Sequence, residues 1–132
     1  MSQMQIDELK QKYAANERDF SGIDLGGADL TGVDLSGINL TKANLSKAML
    51  TEANLSEANL REANLIGANL DRANMTAANL SGANLNSADV REANLTGADL
   101  SESNLSWAIF RGSNLTDTNL TGADLDGTKL PD

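Results

Sequence analysis

Residues 53–65 read ANLSEANLREANL, three copies of one phrase in which Ala, Asn and Leu are fixed and the two residues between copies vary. A period of five suits neither regular secondary structure. On an α-helix it carries successive leucines around the whole cylinder, and on a flat strand it alternates them between the two faces. The pattern becomes intelligible when each unit is a short extended segment that ends in a bend. Ala and Leu, two apart, then share one face, the Asn between them points the other way, and the two variable residues turn the corner.

Outward from this stretch the period runs from Phe20 to Leu130, 23 apolar positions of which 19 are Leu; the exceptions are Phe20, Met75, Val90 and Phe110. The residue two before is Ala at 15 of these units, and the residue between is Asn or Asp at 20. Ten of the 11 glycines hold the second corner position, where a turn with positive φ favours Gly. The Lys, Glu and Arg found there in the middle units are expected to mark a different turn type.

Right-angled bends close a square coil of four units, or 20 residues. The charges support that register. Asp19, Asp24, Asp29, Asp34, Asp89, Asp99 and Asp124 occupy the outward position, and none meets another Asp at a 20-residue step, whereas a 15-residue coil would stack Asp19 on Asp34. Coils about 4.8 Å apart would set such like charges against each other, while Asn can pair with either neighbour. Glu52, Arg72 and Glu92 alternate at the same step, and Lys42 precedes Glu62.

The units ANLSE, ANLRE, ANLIG, ADLTG and ANLSG resemble the A-(D/N)-L-x-x motif of pentapeptide-repeat proteins, and the resemblance covers 18–132 as 23 consecutive units. It implies an all-β solenoid, a right-handed quadrilateral β-helix of about six coils, with the Leu and small-residue columns inside. The hand comes from the resemblance; the bends give the square coil. Arg18, Ile23, Val33, Ile38, Met49, Ile109, Lys129 and the Ser or Thr at 103, 113, 118 and 128 depart from the motif, Ile23, Val33 and Ile38 making the first coil and a half bulkier.

Residues 1–17 lie outside the repeat and read as an N-terminal helical cap on the domain 18–132. Ile6, Leu9 and Tyr13 form one apolar stripe, with Ser2 as the helix N-cap and Asn16 as its stop. Such a cap covers an edge that would otherwise recruit another chain. At the other end TKLPD offers no helix, and Pro131 discourages strand addition. The resemblance implies that this C-terminal edge can support a homodimer, as in some family members.

Composition removes most chemistries. A formal net charge of −9 argues against direct nucleic-acid binding. With neither Cys nor His, thiolate sites, the commonest general base and the commonest zinc ligand are missing. Neither the phosphate loop G-x-x-x-x-G-K-[ST] nor the calcium loop D-x-D-x-D-G occurs. Carboxylates on a regular surface have no cleft to shift their pKa, so the expectation is a non-enzymatic protein with no cofactor and no metal. No apolar run reaches the ~20 residues of a membrane span, and MSQMQIDELKQKY lacks the apolar core of a secretory signal; a cytoplasmic location is expected. The function that remains is a rigid protein–protein interaction or scaffold module. The resemblance supplies an alternative, since some family members are acidic rods that mimic DNA and bind DNA gyrase. The charge permits this, and Asp19, Asp24, Asp29 and Asp34 collar the first coil, but eight basic residues are scattered through 18–132.

Breaks in the motif are not spread evenly. Sorted at 20-residue steps, three sides carry only Asn or Asp outward, and the other runs Asp29, Met49, Asn69, Asp89, Ile109, Lys129. Val90 and Phe110 lie inward on that side, Arg91 and Arg111 at the corner after it. Trp107, the single Trp, holds the corner before it, between Ser87 and Gly127. Trp107, Ile109, Arg111, Arg91 and Met49 are therefore the candidate partner-binding residues, Trp and Arg being favoured interface anchors. A plainer reading has Trp107 lying flat over Gly127 and shielding Phe110, with Ile109 tolerated on the surface.

Overall fold

Every backbone N–H in a packed coil needs an acceptor, and the five of one repeat show how this chain supplies them. The computed structural model describes residues 3–132. In unit 53–57, Ala53 donates across the preceding corner to the Leu50 carbonyl at 3.0 Å, and Asn54 donates to Val33 in the coil before at 2.8 Å. Leu55 donates to Asn74 in the coil after at 2.7 Å, and Glu57 to Thr76 at 2.9 Å. The fifth donor, Ser56, binds a side chain instead, Oδ1 of Asn54, at 3.0 Å.

Repetition of this scheme winds the chain into a quadrilateral β-helix. Parallel bridges join residues 20 apart all along it, from Asp19–Asn39 to Ile109–Lys129. Five coils, 19–118, are complete and a sixth begins at 119. Its four sides are named here by their opening residues: first (19), second (24), third (29) and fourth (34).

All 20 outward Asn and Asp residues make the same contact, an Oδ1 accepting the backbone N–H two residues on. The expected pairing between coils is the lesser role: among the described residues it joins Asn39 to Asp19 at 3.3 Å and Asn44 to Asp24 at 3.0 Å. The expectation of two turn types is also corrected. Lys42, Glu52, Glu62, Arg72 and Trp107 adopt positive φ at the second corner position just as Gly22 and Gly67 do. The turn is one type throughout, left-handed at its third residue, and the hydrogen bonds to the coils on either side hold non-glycine residues in it.

Leucine columns fill the interior, with Leu40, Leu60, Leu80 and Leu100 all fully buried on the first side. Where Ser or Thr replaces the inward Ala, its hydroxyl donates to a main-chain carbonyl: Ser103 to Leu100, Ser113 to Phe110, Thr118 to Leu95 and Thr128 to Leu105, at 2.6–2.8 Å. The core loosens in the last coil, where Leu125 and Leu130 are 39% and 43% exposed.

The helix α1 (Gln3–Ala14) buries Ile6 and Leu9 in the same cluster as Phe20 and Leu25. The Ser2 cap expected from the sequence lies outside the described residues. The stop is at Asn16, φ 73°, with Asn16 N–H bonded to Tyr13 and Glu17 N–H to Lys12, the paired bonds of a Schellman ending. Tyr13 reaches on to the Ser36 carbonyl at 2.6 Å. Arg18, an oversized residue at a small-residue position, turns its guanidinium over the Tyr13 ring, 3.8 Å from the centroid.

Two substitutions test this scheme by urea denaturation. Leu65→Ala, in the fully buried column, is expected to cost about 2–5 kcal/mol. Ala77→Gly relieves an exposed alanine held at φ 58° and is expected to stabilise by about 1 kcal/mol; a loss of stability would contradict the strain assigned to that corner.

Candidate protein-interaction face

Two consecutive units of the third side, ADVRE (88–92) and AIFRG (108–112), occupy equivalent places one coil apart. In the first, Asp89 accepts the Arg91 backbone N–H at 3.1 Å and pairs with its guanidinium at 2.9 Å (Nε) and 2.7 Å (Nη2). The guanidinium bond, aided by that N–H, holds the Asp89 carboxyl below the usual carboxylate range and raises Arg91 in turn. In the second unit Ile109 has no oxygen to offer. Among the described residues, no side chain accepts the Arg111 N–H and Arg111 enters no ion pair.

The same omission recurs at Met49, which leaves the Thr51 N–H without a side-chain cap among the described residues. At Lys129 it has no consequence, because the residue two on is Pro131, which has no N–H. Lys129 stands directly on Ile109 in the bridge series, and among the described residues it too enters no ion pair. Arg91, Arg111 and Lys129 are the only basic residues from 79 to 132, and all three belong to this side or the corner that ends it.

Trp107 holds the corner leading onto the third side. Its backbone N–H donates to the Asp126 main-chain carbonyl at 2.9 Å. The preceding Ser106 is clamped between Asn104 and Asn86, both at 2.6 Å from its hydroxyl. The indole lies across Gly127 so closely that a Cβ there would sit 2.7 Å from its ring. This much agrees with the plainer reading, yet Trp107 remains 66% exposed. Its φ of 64° is also a conformation bulky side chains disfavour.

One residue escaped the sequence reading. Ile66, 37% exposed, occupies the same leading corner two coils before Trp107, next to the coil that carries Met49, itself 46% exposed. It is the one large apolar residue at any first corner position, a signal available to a sorting of corners as well as of outward residues. Trp107, Ile109 and Arg111 thus follow one another along one rung of the third side, from its leading corner to the corner that ends it, while Met49 and Ile66 lie in earlier coils of the same face. Arg91 lies between the two groups, bound to Asp89.

A shallow groove lies elsewhere, between α1 and the first coil, over Leu9, Phe20 and Ile23. Its charged rim includes Glu8 and Lys12, which pair at 3.1 Å. That bond raises the Lys12 pKa, the reverse of what a lysine base requires. Among the described residues no group of three or more His, Cys, Asp or Glu is placed to hold a metal, and no helix is long and apolar enough to cross a membrane.

The family model described as pentapeptide repeats (8 copies) matches residues 19–56, 58–97 and 98–132. The chain belongs to the pentapeptide-repeat family. Among its solved members, Rfr23 from the cyanobacterium Cyanothece 51142 is 31% identical, with a TM-score of 0.88 and a match covering 96% of this chain and 99% of that one. The pentapeptide-repeat protein alr5209 from Nostoc Pcc 7120 is 32% identical over 96% of this chain and 85% of its own, with a TM-score of 0.53. The fold is accordingly the right-handed quadrilateral β-helix of the family, with a small N-terminal helix. No functionally curated protein matches the chain.

Asp89 gives the face a pH signature. A carboxyl whose folded pKa is depressed adds stability above its unfolded pKa and loses it as pH falls through the folded value. Asp89→Asn keeps an Oδ1 for the Arg91 N–H and removes the ion pair. Wild type is expected to melt above this variant from neutral pH down to about pH 5, the difference closing below about pH 4. A difference that persists at pH 2 would rule out the ion pair as its source.

Proposed function

We propose that this chain is a non-enzymatic interaction rod that presents its third side to a protein partner. One observation carries the reading: Met49, Ile66 and Trp107, all the exposed large hydrophobic residues outside the last coil among those described, belong to this side or its leading corner. The fold does not require them. Ile109 and Met49 each forgo a backbone cap that an Asn would provide, and Trp107 occupies a strained corner that glycine fills in the next coil. Exposed apolar groups beside arginine are the composition of a contact surface.

The test is capture from a cell lysate by wild type and by Trp107→Ser/Ile109→Asn, a variant expected to keep its circular dichroism because the introduced asparagine can cap the Arg111 N–H. A partner retained by wild type and lost by the variant supports the reading; identical captures refute it.

The exposed carboxylates of Asp19, Asp24, Asp29 and Asp34 favour a second reading, an acidic rod that binds a DNA-handling enzyme such as gyrase. Against it, the middle coils are neutralised along one corner, where Arg72 lies 3.6 Å from Glu52 and 3.5 Å from Glu92. A supercoiling assay separates the two readings. Inhibition of gyrase that survives the third-side substitutions would favour the acidic rod, and the interaction-face reading expects none.

A further inference from the structure

We propose that the segment received by the third side is an acidic stretch of a partner protein, a carboxylate followed or preceded by a large apolar side chain. The carboxylate seats on Arg111 and the apolar group on Trp107 and Ile109. This inference rests on the reading of that side as the contact face and adds the chemistry of what it contacts.

The structure itself contains the pattern for the missing half. On Arg91 a single carboxylate meets three donors, the backbone N–H and two guanidinium nitrogens. Arg111 offers the same three donors at the equivalent place one coil on, held in register by Glu92 N–H bonded to the Arg111 carbonyl at 2.9 Å. Ile109 stands where Asp89 would, so none of the three has a side-chain acceptor among the described residues. A carboxylate from outside can meet the Arg111 guanidinium beside the Ile109 side chain, as a bidentate charge-assisted pair. Lys129, stacked on Ile109, adds a second cation with no ion pair of its own among the described residues.

The rod's net charge of −9 would repel an acidic partner at long range, so local charge decides. Of the carboxylates around Arg111 in the register, Asp89 is bound to Arg91, Glu92 lies 3.5 Å from Arg72, and Asp132, at the same corner one coil on, forms no ion pair with it among the described residues. Acids farther off are screened over about 8 Å at physiological salt. Asp126 stands at the opposite corner, beside Gly127 and the indole. That asymmetry sets the polarity of docking, with the partner's acid toward Arg111 and its apolar residue toward Trp107.

Random peptides displayed on phage, panned against wild type, Arg111→Gln, Ile109→Asp and Trp107→Ser, test the proposal. Wild type is expected to enrich peptides with Asp or Glu next to a large apolar residue. Arg111→Gln removes the fork, and Ile109→Asp supplies an internal carboxylate that occupies it as Asp89 occupies Arg91. Both are expected to bind the enriched peptides roughly tenfold more weakly or worse. Ile109→Asp gains its own cap but stacks a carboxylate on Asp89, so circular dichroism matching wild type at the binding temperature is required of it, which separates lost binding from lost folding. Trp107→Ser is expected to keep the acidic preference and lose the apolar one.

Enrichment that depends on Trp107 but shows no acidic bias would overturn this inference and leave the contact face standing. Acidic enrichment that survives both Arg111→Gln and Ile109→Asp would also overturn it, by placing the cationic contact elsewhere. Identical selections by wild type and Trp107→Ser, or no selection by either, would remove both.

Discussion

One backbone donor governs this structure. In the repeating scheme of the inner coils four N–H groups of a five-residue unit find carbonyls, one across the corner and three in neighbouring coils, but the N–H of the first corner residue has none in the scheme and takes a side-chain oxygen wherever Asn or Asp precedes it. Only a short side chain two residues back reaches it, which is why Asn or Asp fills 20 of 23 outward positions. Leucine gives the solenoid its cohesion; the Asn and Asp caps let the chain turn without stranding a donor at every corner. An uncapped N–H at a wet corner falls back on water at modest cost, while one shut away from water would cost about 1–3 kcal/mol. The motif can therefore be broken at the surface and not within.

That tolerance is what makes the third side informative. A wall so uniform has few local reasons to change an outward residue, and three such changes fall on one side of four. Ile109 does two things at once: it adds an apolar branch beside Trp107, and by failing to be Asp it leaves Arg111 without the partner that Arg91 has. An arginine released in this way, on the same side as an exposed indole, is what the proposed contact reads, written with the letters of the repeat itself.

Much of this was legible in the residues. The period of five, the inward Leu and Ala columns, the 20-residue coil and the N-terminal helix all follow from spacing and charge, because each reflects a requirement repeated many times. Four features were not. Glycine's preference for the second corner suggested that Lys42, Glu57 and Arg72 sat in another turn, whereas bonds to adjacent coils impose one geometry on all of them. Asn was credited with pairing between coils, since a side chain's reach back to its own corner is invisible before the bend is built. Ile66 was passed over because attention rested on outward positions, although a first corner residue is as open to solvent. The isolation of Arg111 needed the Asp89–Arg91 geometry as its reference.

The wall also behaves like a clock face. Because the chain advances a quarter turn with each unit, gaining or losing five residues within the repeat before Met49 would keep the pattern of caps and inward leucines and turn all that follows by a quarter turn against the N-terminal helix. The same change between Ile66 and Trp107 would swing one apolar spot onto a different side from the other, while a change of 20 would only lengthen the distance between them. A lineage of such chains can thus explore new faces in discrete quarter turns without repacking its core, and the relative phase of two marks along the rod records which steps were taken.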